Sequence, residues 1–86
     1  MYPTLQEGDL LCVKQSATAV PGQVVVAMDD EEGVTVKRFE MREGVPLLCA
    51  DNPTWPRLRF RPGTRIVGVV TGSFRPSQVL NRRPLD

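Results

Sequence analysis

Two lysines, Lys14 and Lys37, are the only side chains in these 86 residues that burial could turn into a nitrogen base near neutral pH, because the chain holds no histidine. That absence removes Ser-His-Asp and Cys-His catalytic units, a histidine-ligated zinc site and an imidazole pH switch. Burial disfavours the ammonium form and lowers a lysine pKa by up to roughly 3–5 units, so a lysine set in an apolar strand is where base chemistry would arise. A Ser-Lys dyad is the histidine-free counterpart of the serine triad. Lys37 lies in Val34-Thr35-Val36-Lys37-Arg38-Phe39, where a period of two puts Thr35, Lys37 and Phe39 on one face and Val34, Val36 and Arg38 on the other. Periodicity leaves it two fates, a buried base or an ammonium that snorkels to water from the strand. Thr35, on the same face, could orient the amine by hydrogen bonding or be a plain cross-strand threonine.

Other residue types point to little chemistry. Cys12 and Cys49 sit singly in Leu10-Leu11-Cys12-Val13 and Leu47-Leu48-Cys49-Ala50, where cysteine acts as a small hydrophobe, and reduced core positions are expected over a disulfide. No metal and no organic cofactor is implied, for there is no histidine cluster, paired-cysteine spacing or glycine-rich phosphate loop. The run Asp29-Asp30-Glu31-Glu32 could hold a cation, but reads better as a solvated hairpin turn. Arg57-Leu58-Arg59-Phe60-Arg61 alternates, sending Leu58 and Phe60 inward and three arginines outward. A phosphate-binding ridge would want aromatic residues between those arginines; without them, a solvated edge that discourages sheet-to-sheet pairing is the better reading. The net charge of +1, from 11 basic and 10 acidic residues, gives no field that would draw in nucleic acid or a membrane.

The elements that must position these residues are short strands. Seven glycines and eight prolines punctuate the chain, and the Val-, Ile- and Leu-rich stretches between them are too short for good helices. Strands are predicted over 9–14, 23–28, 34–40, 46–50, 57–60 and 65–72, the second and third forming a hairpin closed by the acidic run and Gly33. A hydrophobic share of 41% and a charged share of 24% in so short a chain support one domain around one modest core, with no run long enough to cross a bilayer as a helix. The first residues carry neither a charged n-region nor an apolar h-region, so no secretory signal is expected. Residues 1–75 make the expected domain, and residues 76–86, ending Asn81-Arg82-Arg83-Pro84-Leu85-Asp86, a polar tail.

Four stretches carry a family resemblance. Met1-Tyr2-Pro3-Thr4-Leu5-Gln6-Glu7-Gly8-Asp9-Leu10-Leu11 resembles a motif shared by LexA/UmuD-type self-cleaving repressors and type I signal peptidases, Ser-Met-x-Pro-Thr-Leu/Ile-x-x-Gly-Asp-x-Leu/Val, whose serine is the nucleophile. Thr35-Val36-Lys37-Arg38-Phe39 is similar to the strand that carries the lysine base. Leu48-Cys49-Ala50-Asp51-Asn52-Pro53-Thr54-Trp55-Pro56 resembles the Asn-Pro-x-Tyr-Pro segment of the repressor branch, and Ile66-Val67-Gly68-Val69-Val70-Thr71-Gly72 its last core strand. Signal peptidases have membrane anchors, a larger inserted domain and a Gly-Asp box shortly after the lysine. Here Glu40-Met41-Arg42-Glu43-Gly44-Val45 stands in that place, which favours the repressor branch.

The resemblance implies a mostly β fold, a complex of hairpins with a small twisted, barrel-like sheet, and a C-terminal peptidase and dimerisation domain. It implies Lys37 as general base, Met1, Pro3 and Thr4 as the turn and oxyanion region after the nucleophile, and Thr35 in support. Expected partners are a second copy, the protein's own cleavage segment and DNA-binding domain, and a RecA filament, in a bacterial or phage-infected cytoplasm under DNA damage. The family pattern puts the serine one place before Met1, and no Ala-Gly or Cys-Gly cleavage dipeptide occurs in residues 1–86. The chain as printed is therefore expected to be inactive on its own; a catalytically dead dimerisation module and a signal-peptidase relative are the alternatives.

Overall fold

A computed structural model describes residues 8–75. It is all β: β1 (Leu10–Gln15), β2 (Val24–Asp29), β3 (Gly33–Arg42), β4 (Val45–Cys49), β5 (Leu58–Arg59) and β6 (Arg65–Phe74), with no helix among the described residues. Each predicted strand is present, with ends displaced by a residue or a few. Together they make one sheet in the order β1-β6-β2-β3-β4-β5, every neighbouring pair antiparallel.

Turn chemistry explains the order. The β2–β3 hairpin is closed by Asp29, whose Oδ1 accepts the backbone N–H of Glu31 at 2.8 Å and of Glu32 at 3.2 Å, before Gly33 turns with φ of 80°. β3 runs on to Arg42, past the predicted end, because Glu43 and Gly44 both adopt positive φ, 50° and 80°. Two successive left-handed residues are what a tight two-residue hairpin turn requires. The register shifts twice along β6, at Thr71 opposite Cys12 and Val13 of β1 and at Val67 opposite Val26 and Ala27 of β2, and such bulges bend a strand and increase its local twist.

The core lies on one face of the central strands: Val25 and Ala27 of β2, Phe39 of β3, Leu48 of β4 and Val69 of β6, with Ala19, Phe60 and Ile66 packed against them. Phe60 meets Phe39 edge to face, ring centroids 6.1 Å apart at 87°. Period-2 alternation is visible in β2, where Val25 and Ala27 have no exposed surface and their neighbours are half-buried.

Three expectations change. Cys12 is exposed instead of buried, because β1 is an edge strand with only β6 beside it, whereas Cys49 is buried as expected. Leu58 stands opposite the buried Leu48 on the core face, as expected, but is 43% exposed. The strand predicted over 57–60 shrinks to two residues, since β5 is the other edge and pairs with β4 only through Leu47 and Leu48. Phe60 does turn inward. The polar tail predicted over 76–86 lies outside the described residues.

Candidate functional site

Lys37 sits mid-way along β3, directly opposite Val25, with Thr35 opposite Ala27. Cross-strand partners share a face, so Lys37 and Thr35 both stand on the core face, flanked along the strand by the buried Phe39. The row continues from Val25 to Val69 of β6 and on to Lys14 of β1. Both lysines of the chain therefore lie in one cross-strand row, with two valines between them. Lys37 is half-buried, and among the described residues no carboxylate forms an ion pair with it. Lys14 is exposed on its edge strand.

Beside Thr35 the same face opens into a cleft of about 280 Å³, walled by Ala27, Met28, Leu48 and Leu58 and rimmed by Arg57, Arg59 and Arg61. Lys37 is not on its wall. Met1, Pro3 and Thr4 lie outside the described residues, so of the site residues expected from sequence the structure brings together Lys37 and Thr35.

The other face of β3 carries a cluster that sequence reading missed. Arg38 grips Asp51 with both arms of a fork, Nε to Oδ1 and Nη2 to Oδ2, each at 2.8 Å, and its Nη1 donates to the carbonyl of Gly22 at 2.7 Å. Its guanidinium is pushed above its ordinary pKa, mainly by the hydrogen bonds to Asp51 and against a smaller desolvation effect. Gly22 also donates its N–H to Phe39 O at 2.7 Å, and Phe39 N–H donates to Gln23 O at 2.8 Å, so the β2–β3 ladder reaches past its ends at this level. The signal was available: Arg38 follows the lysine directly, and Asp51 opens the Asn-Pro segment.

That segment is a tight turn. Asn52 Oδ1 accepts the N–H of Thr54 at 2.9 Å, and Asn52 O accepts that of Trp55 at 3.1 Å, leaving Trp55 65% exposed. It borders a second cleft, about 310 Å³, with Arg38, Glu40, Arg42 and Arg57 on its walls.

The acidic hairpin is not a freely solvated turn, and one arginine of the stripe is not free. Asp29 Oδ2 accepts from the Thr64 hydroxyl at 2.8 Å and from Arg61 Nη2 at 3.0 Å, while Arg61 reaches Glu32 at 3.4 Å and Glu31 at 3.6 Å. Arg65 adds an ion pair to Asp30 at 3.3 Å. The backbone N–H of Glu31, then the Thr64 hydroxyl, hold the Asp29 carboxyl far below the usual carboxylate range, with Glu32 N–H and Arg61 adding to them against a desolvation effect. The effect of this network is to latch the β2–β3 turn to the loop before β6. Among the described residues no group of ligating side chains is placed to hold a metal ion, and no helix is long and apolar enough to cross a membrane.

The described residues thus form an all-β sheet with a partly buried lysine in a central strand, a forked arginine beside it and a cleft on the lysine's face. The sequence pattern of the Peptidase S24-like family matches residues 1–71, and the chain belongs to that family. It is 44% identical over 69 residues to a LexA repressor of Oceanobacillus iheyensis, covering 80% of this chain and 33% of that protein. A LexA repressor of Cupriavidus pinatubonensis is 38% identical over 74 residues, covering 83% and 34%, and one of Lacticaseibacillus casei is 37% identical over 73 residues, covering 85% and 35%. The chain thus spans about a third of the length of the curated relatives it matches, on the repressor branch of the resemblance.

Proposed function

We propose that this chain is the C-terminal autoproteolysis and dimerisation portion of a LexA-like repressor, with Lys37 as general base and Thr35 as its support. The observation that carries this is the placement of Lys37 on the core face opposite Val25, half-buried and with no described carboxylate to hold its proton. In the reaction, neutral Lys37 takes the hydroxyl proton of a serine that the family motif places immediately ahead of Met1. The serine oxygen bonds to the scissile carbonyl carbon, and backbone amides around Met1 hold the oxyanion. Lys37 then gives its proton to the leaving amine, and water releases the acyl group. The cleft beside Thr35, apolar and rimmed by arginines, suits an extended segment laid along the sheet.

Dimerisation belongs to the same proposal, and among the described strands it falls to an edge of the sheet, since inner strands such as β6 have a neighbour on both sides. The exposed apolar side chains Leu10, Val13 and Phe74, at the β1 edge of the sheet, are the candidate contact. The DNA-binding portion, a RecA filament and a cytoplasmic setting under DNA damage complete the proposal. To test it, the chain is extended upstream to include the serine and the cleavage segment and incubated at alkaline pH. Self-cleavage is expected in the parent and its loss in Lys37→Ala; equal rates in the two overturn the assignment of the base.

A further inference from the structure

We infer that the Arg38–Asp51 pair is a positioning device for Lys37, anchoring the backbone around it and keeping the cation next to it neutralised. The inference rests on Lys37 being the base, and adds a residue pair to that assignment. Arg38 occupies the adjoining strand position on the opposite face, and its three hydrogen bonds, at 2.7–2.8 Å, join β3 to the turn before β2 and to the chain leaving β4. Gly22 lies three residues before Val25, the β2 partner of Lys37, and Asp51 two residues past Cys49, the β4 partner of Arg38. Sliding β3 by one residue would carry Lys37 to the solvent face and would also break the fork, so the pair and the register stand together.

Charge gives the pair its second role. The element opposite Lys37, β2, presents uncharged Val25, and the row beyond it passes through Val69 before reaching Lys14. On β3 the neighbouring charges are Arg38 and Glu40, both on the far face and both lining the Trp55 cleft, and beyond β4 it is Asp51. With the fork closed, Arg38 and Asp51 cancel. Removing Asp51 leaves a cation one residue from Lys37, which disfavours its ammonium form; removing Arg38 leaves an anion there, which favours it. Unit charges about 10 Å apart in a medium of effective dielectric about 20–80 move a titration by roughly 0.3–1.2 pH units.

The 86-residue chain itself permits the test, because it has only two lysines. The side-chain signals of carbon-13-labelled lysine are followed through alkaline pH by NMR, with Lys14→Arg assigning the pair. Asp51→Asn is expected to lower the Lys37 midpoint, and Arg38→Gln to raise it, each by about half a pH unit. The double variant is expected to return to the parent value. Arg38→Met, which keeps the alkyl stem, gives a second way to remove the charge, and 1 M sucrose supports a weakened fold without screening charge, with the concentration about that of ordinary osmolyte use. Midpoints that move in the same direction in both single variants, or in neither, overturn the inference. A loosened strand would move both together, whereas neutralisation moves them apart. This readout needs no cleavage, so its failure is separate from that of the base assignment, which Lys37→Ala decides.

Discussion

Gly68 faces β1 at a point where no side chain fits, which makes Gly68→Ala a quantitative probe of how the edge strand is held. A Cβ at this position would stand 2.5 Å from Val13 Cγ1 and 3.2 Å from the carbonyl oxygen of Lys14. The first contact is well inside van der Waals distance, and the second involves backbone that can yield only if β1 shifts. Overpacking of this kind costs about 1–3 kcal/mol, and the smaller conformational freedom of alanine in the unfolded chain offsets about 0.4–1 kcal/mol of it. The expected net loss is about 1–2 kcal/mol, or a fall in urea midpoint of roughly 1 M for a domain of this size, measured by far-UV circular dichroism. Val13 is 48% exposed, so Val13→Ala alone is expected to cost less than about 1 kcal/mol. Combined with Gly68→Ala it removes the 2.5 Å contact and leaves the 3.2 Å one, so the double variant should recover about 1 kcal/mol over the additive sum. A Gly68→Ala protein within about 0.5 kcal/mol of the parent, or strict additivity with Val13→Ala, would refute the close-approach account of this glycine.

Three further outcomes follow from the packing and the latch. Asp29 is held with its carboxyl depressed in the folded state, so its contribution is present above the unfolded carboxylate pKa of about 3.9 and is lost as pH falls through that value toward the folded one. Asp29→Asn should therefore flatten the acid side of the stability profile while reducing stability at neutral pH, and a variant as acid-sensitive as the parent would contradict this. Gly63 turns with φ of 93°, and a Cβ there would meet Asp30 Oδ2 at 2.5 Å, so Gly63→Ala should loosen the acidic hairpin, seen as faster amide exchange at Glu31 and Glu32. Phe39→Ala removes the buried ring and its edge-to-face partner contact with Phe60; a loss of about 3–5 kcal/mol in urea unfolding is expected, against less than about 0.5 kcal/mol for the exposed Trp55→Ala.

The strands were legible because β-branched runs cut by glycine and proline leave few alternatives. Alternation grouped Lys37 with Thr35 and Phe39 but left open which face is covered, and the pairing with Val25, which has no exposed surface, decided it. Cys12 and Leu58 are more exposed than expected for a common reason. An apolar residue in a strand is buried only if another element covers its face or edge, and local sequence does not say which strands will lie at the edges.

The part of the site that depends on distant segments was not legible either. Arg38 and Asp51 are 13 residues apart, and Asp29 and Thr64 are 35 apart. Composition could present them only as a solvated acidic turn, an arginine stripe and an unremarked aspartate. Local sequence by itself determined the β class, the strand positions, the lysine without a histidine rival and the family motif, since all of these are written in spacing along the chain. Tertiary structure alone decided the sheet order, the row that joins Lys14 to Lys37, the fork beside the lysine and the latch at the hairpin, because each depends on which distant strands the antiparallel pairing sets side by side.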